Sequence, residues 1–258
     1  MTIRTTFIVS TLLATGLISG AAQAALVDRG GGLIYDDVLD ITWLQNANYG
    51  AGSSYDNGVS ETDGRMTWNN AMAWADSLVY HDSVRNVDYS DWRLPTMIDT
   101  GNFGCDFAQG GTDCGYNVQT YSDGTTYSEM AYMYYVNLGL KGFSSTIGSY
   151  QPDFGIYGNG TFNGMDQSSY GENDVGLIDN LQGYVYWSGL GLPGTFSAWA
   201  FATANGFQNV SSRDGFHSAW AVRSGDVAAV PEPGAWALMM GGLALVGVMA
   251  RRRTDRQA

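Results

Sequence analysis

Apolar and polar positions along this chain change rhythm several times, and each rhythm predicts a different element. In GGGLIYDDVLDITWLQNANY, Leu33 and Tyr35, then Ile41 and Trp43, occupy alternate positions on either side of Asp36-Asp37. That alternation predicts a hairpin of two half-buried strands. The period lengthens in MTWNNAMAWADSLVY. There Trp68, Ala71, Met72, Ala75, Leu78 and Val79 fall on one helical face, and Thr67 stands where a cap is needed. In YSDWRLPTMIDT, Pro95 disfavours helix at Leu94. Thr96 followed by Asp99 resembles a capping box, so a short helix is expected between Pro95 and Gly101. SEMAYMYYVNLG predicts a better defined helix, capped by Ser128, with Met130, Tyr134 and Leu138 on one face and Gly139 as its end.

From Lys141 to Gly183 the chain is rich in Gly, Ser, Asn and Asp and has no clear period. A structureless loop of that length is unusual in a compact domain, so concealed strands or turns are expected there, together with any binding surface. The pattern then turns β-like. YVYWSG predicts a strand, SAWAFATANGFQNV a hairpin around Asn205-Gly206, and SAWAVRSGDV a further strand, with His217 in the turn before it. Trp199, Phe201 and Thr203 share one face, as do Trp220 and Val222, with alanines mostly opposite.

The two ends have a different character. Arg4, the apolar run Phe7 to Ile18 and the small-x-small pattern Ala22-Gln23-Ala24 predict a secretory signal peptide over residues 1–24. At the other end VPEPGAWALMMGGLALVGVMARRR places Pro231, Glu232 and Pro233 before an apolar run and Arg251, Arg252 and Arg253 after it. Gly234 to Ala250 is 17 residues, about 25 Å as a helix, the short end of what spans a bilayer. The arginines are expected to stay on the cytoplasmic side. The prolines keep the flanking chain extended, a form that a protease can grip.

Charge narrows the partners. Between these ends lie seven basic and 23 acidic residues, a net charge near −16. Such a body repels nucleic acid and anionic headgroups. Cys105 and Cys114, in GCDFAQGGTDCG, are read as a disulfide, because an exported chain favours one and the C-x-x-C spacing of metal and redox pairs is missing. No G-x-S-x-G, H-E-x-x-H or P-loop occurs, and neither His81 nor His217 has a recognisable nucleophile context. No catalytic residue and no cofactor are assigned. Calcium is the one cation the oxygen-rich loops DNGVSETDG and DQSSYGENDVG would suit, without matching the EF-hand pattern, and its ligands stay unassigned. Asp166, Glu172, Asn173, Asp174, Trp187 and Trp199 are the candidate ligand-binding residues, as an aromatic platform beside polar loops.

Two resemblances extend this reading. WNNAMAWADSL, YSDWRLPT, SEMAYMYYVNLG, YWSG, SAWAFATANG and SAWAVRSGD occur in the order of a family similar to the C-terminal domain of a bacterial collagen-like adhesin. That resemblance implies an α+β, C-type-lectin-like domain over 25–228, with two main helices packed on antiparallel strands and long irregular loops. The tail at 229–258 resembles the PEP-CTERM sorting signal with its hydrophobic sorting helix. It implies an exosortase-type membrane protease as partner, transient inner-membrane insertion, and release to the cell surface or extracellular matrix of a Gram-negative bacterium. Together these imply non-catalytic binding, with exopolysaccharide of a biofilm as the partner. The alternatives are a secreted enzyme with a site in 141–183, and a membrane-tethered structural protein without a small ligand.

Overall fold

The computed structural model describes residues 26–227 apart from 59, 61, 102–103, 108–111, 121–123 and 161–171. The signal peptide with Ala22 and Ala24, the Pro231-Glu232-Pro233 motif, the sorting helix and Arg251–Arg253 lie outside the described residues, as does Asp166. Among the described residues no helix is long and apolar enough to cross a membrane.

The first strands are β1 (Leu26–Asp28), β2 (Leu33–Asp36), β3 (Ile41–Leu44) and β4 (Arg65–Met66). Helix α1 (Trp68–Ser77) follows, then β5 (Tyr80–Asp82) and β6 (Val87–Tyr89). Helix α2 starts as Glu129–Tyr132 and widens into a π-turn over Met133–Asn137. Next come β7 (Glu172–Val175), β8 (Ile178–Gln182), β9 (Val185–Gly191), β10 (Ser197–Ala202) and β11 (Phe207–Ser212). The last strands are β12 (His217–Ser218) and β13 (Val222–Ser224). Two larger sheets result, ordered β1-β2-β3-β13 and β11-β10-β9-β12-β4, with β5-β6 and β7-β8 as separate hairpins. The fold is mostly β-sheet with few helices, so α+β holds only loosely.

The expected hairpin forms as β2 and β3 in antiparallel register. Its strands are not half-buried: all four residues of β3 are buried, because Trp43 stacks against Trp220 at 4.5 Å between ring centroids. Helix α1 begins at the expected place, yet the Thr67 side chain makes no cap. Its first amides are served from outside the helix: Asn57 Oδ1 accepts from the Thr67 N–H at 3.1 Å, and the Arg213 carbonyl from the Trp68 N–H at 3.0 Å. Ala71, Trp74 and Ala75 form its buried face, while Val79 is exposed.

No helix follows Pro95. Glu129, at the first turn of α2, takes the Thr96 N–H at 2.7 Å and a two-pronged bond from Arg93 at 2.7 and 2.8 Å. Met97 then bridges to Ser128, which keeps this stretch extended. The Arg93 main chain exchanges both hydrogen bonds with Val222. WRLPT and AWAVR, distant in sequence, are therefore neighbours.

The terminal SAWAV stretch is not one alternating strand. Ser218 pairs with β4 and β9 and Val222 with β3, so the chain changes sheets at Ala219–Ala221. All of Ala219, Trp220, Ala221 and Val222 are buried as a result. His217 belongs to β12, not to a turn. The β10–β11 hairpin closes with a four-residue loop, since Ala202 pairs with Phe207. Within Lys141–Gly183 the chain conceals β7 and β8, preceded by turns.

Candidate functional site

A disulfide joins Cys105 and Cys114, with Cα atoms 4.5 Å apart. The loop it closes docks on the edge strand β11. Gly115 and Gln208 exchange main-chain hydrogen bonds at 2.9 Å each way, and the Gln208 side chain donates to the Asp113 carbonyl at 2.7 Å. Gly115 has φ +123°, and a Cβ there would lie 1.9 Å from the Asp106 carbonyl oxygen. Only glycine permits that approach. The buried Asp113 carboxylate accepts from the Thr100 main chain and hydroxyl, which fixes the turn carrying Asp99.

Between this loop and the β9–β11 sheet lies a pocket of about 460 Å³, within the span of roughly 300–1,000 Å³ usual for small-ligand sites. The disulfide itself lines it, with Asp99, Thr195, Asn209, Trp199 and the apolar Leu192, Pro193 and Val210. Trp199, opposite Val210 in the β10–β11 register, packs with Met97 and Cys114 in a small cluster apart from the main core. Its indole Nε1 donates to Asp99 Oδ2 at 3.4 Å. Asn209 Oδ1 accepts from the Val210 N–H at 2.8 Å. An indole, a carboxylate, an amide and a hydroxyl thus share one concave surface.

The other expected ligand residues do not join it. Trp187 has no solvent exposure, and its Nε1 donates to the Met66 carbonyl at 2.8 Å. It is a core residue and offers no platform for a sugar ring. Asn173 and Asp174 lie on β7 and hold local structure: Asn173 Nδ2 donates to the Ile156 carbonyl at 3.2 Å, and Asp174 Oδ1 accepts from the Asn180 N–H at 3.0 Å. Glu172 opens the same strand. Asp99, Thr195 and Asn209 carried no signal of their own in the sequence. The sequence pattern places Asp99 in a capping box for a helix that does not form.

Among the described residues no cluster of three or more His, Cys, Asp or Glu is placed to hold a metal. In the oxygen-rich loop at 56–64, Asp56 Oδ2 accepts from the Gly52 and Gly64 amides, and Asp63 pairs with Arg65. Those carboxylates shape the loop. His217 Nε2 lies 2.8 Å from Ser211 Oγ, a pairing the sequence did not reveal. Burial lowers the His217 pKa to about 4, and a base so weak is poorly matched to activating a hydroxyl at neutral pH.

Residues 229–253 match the family model of the PEP-CTERM protein-sorting motif. The chain thus carries the sorting signal of exported, exosortase-processed surface proteins, and its processing partner is a membrane protein. No curated protein and no solved structure matches the chain, and the likeness to lectin-like adhesin domains finds no support there.

Proposed function

We propose that this is a surface or matrix protein of a Gram-negative bacterium whose 25–228 domain, lectin-like in character, binds extracellular polysaccharide without altering it. The observation that carries the reading is the pocket, where Trp199 stands beside Asp99, Asn209 and Thr195. Trp199 is 5 % exposed and gives the lining a small apolar part of its ring, while a sugar's rim of hydroxyls suits a carboxylate and an amide. Turnover is disfavoured by the same lining. Glycoside hydrolysis uses a pair of carboxyl groups across the scissile bond, and Asp99 is the one carboxylate among the described lining residues.

A glycan array probed with the exported protein, with and without calcium, tests the reading. Saturable binding to at least one polysaccharide of the producing cell, with no release of reducing ends, is the expected result. Turnover of any glycan, or binding to none, would overturn it.

A further inference from the structure

We infer that the pocket beside the Cys105–Cys114 disulfide selects sugar units carrying a free amino group, with the ammonium on Asp99. The inference rests on the polysaccharide-binding reading and names the sugar class. Its basis is charge. Asp99 is the sole charged side chain among the described residues lining the pocket, with no lysine, arginine or histidine beside it. Among the described residues, Oδ1 accepts from the Gly101 N–H at 2.9 Å and Oδ2 from the indole at 3.4 Å, which leaves further lone pairs on both oxygens. A carboxylate so placed has capacity for a charge-assisted bond from an incoming ammonium, about twice as strong as a neutral one.

The acidic body acts in the same direction. With 23 acidic residues against seven basic ones between positions 25 and 230, its field gathers cationic chains and repels uronate or sulfated ones. Asn209 and Thr195 complete the site with groups able to read ring hydroxyls. Leu192, Pro193 and Val210 supply the apolar part of the lining.

The test is isothermal titration of the protein purified from its producing cell with three probes: glucosamine oligomers, the same oligomers N-acetylated, and oligouronates. Glucosamine oligomers are expected to bind at least roughly tenfold tighter than the acetylated ones, the scale of a bond to a charged group. Asp99→Asn is expected to abolish that preference, with a far-UV circular dichroism spectrum and an unfolding midpoint matching the parent's to show that the variant is folded. Equal binding of amino and acetylated oligomers, or preference for oligouronates, overturns the amino-sugar inference and leaves polysaccharide binding standing. Binding of the amino oligomers that survives unchanged in Asp99→Asn overturns it as well. No binding of any probe, when the host's own polysaccharide also fails to bind, overturns the underlying reading instead.

Discussion

Trp187 and Trp199 lie on neighbouring strands of one sheet and both are buried, yet of the two Trp199 is the one that lines the pocket. Trp187 is sealed in the core with its indole N–H on the Met66 carbonyl. Trp187→Phe leaves that buried carbonyl without its donor, which should cost about 1–3 kcal/mol in denaturant unfolding and leave sugar affinity unchanged. Trp199→Leu removes the indole that lines the pocket and donates to Asp99 and leaves a cavity in its place, so it should weaken sugar binding by roughly tenfold and lower stability as well. At this scale the sequence was ambiguous for a physical reason. Both tryptophans sit in β-patterned segments, and only the third dimension decides which of them reaches a pocket.

His217 supplies a pH dependence of its own. Burial lowers its pKa from the ordinary 6.5 to about 4, so between those values the unfolded chain binds more protons than the folded one. Stability should therefore fall as pH drops through that window, by about 3 kcal/mol in all. Asp36 and Asp56, pushed up by burial, act in the opposite direction, losing stability as pH rises through their folded values. The difference between the parent and His217→Gln isolates the histidine. Unfolding midpoints measured from pH 7 to pH 4 should converge as pH falls, and parallel curves would show that His217 does not titrate as described.

Among the elements, the disulfide loop and the start of α2 show how far local patterns reach. Closing the Cys105–Cys114 loop should contribute about 2.5–3 kcal/mol on the chain-entropy model. Replacing both cysteines by serine should lower stability by that amount and weaken sugar binding, since the disulfide lines the pocket. The Ser128 cap was legible from its neighbours alone: its hydroxyl accepts from the Ala131 N–H at 3.1 Å. The Thr96–Asp99 pair looked like a second cap, but Glu129, 33 residues on from Thr96, takes the Thr96 amide and draws the segment out straight. Glu129→Ala removes the Arg93 pair and that amide bond together. With Arg93 partly exposed, the expected cost is about 1–3 kcal/mol in chemical denaturation. The π-turn after Tyr132 left no mark on the helical pattern, because one extra residue per turn does not disturb a short apolar stripe.

At the scale of the molecule, β1, β4 and the β5–β6 hairpin are too short to leave a pattern, whereas the β2–β3 and β10–β11 hairpins, β9, the two lasting helices and the cysteine pair follow from periodicity and spacing. The pocket does not, because Asp99, Thr195 and Asn209 come from segments up to 110 residues apart and are brought together by the loop docked on β11. The sheet switch at Ala219–Ala221 leaves no periodic signal either. Alternation identifies a strand with one wet face, and here both faces are buried. The acidic body gives the whole molecule its salt response: affinity for cationic oligomers should fall steadily as ionic strength rises and screening shortens the reach of its field. At the sorting end, intact-mass analysis of protein from its own host should show a chain lacking Arg251–Arg253.

The polysaccharide of the producing cell's own matrix provides the most direct trial. Titrated into protein purified from that cell, it should give saturable heat, no new reducing ends, and a loss of affinity in Trp199→Leu. Absence of heat, affinity indifferent to that substitution, or cleavage of the polysaccharide would contradict the account.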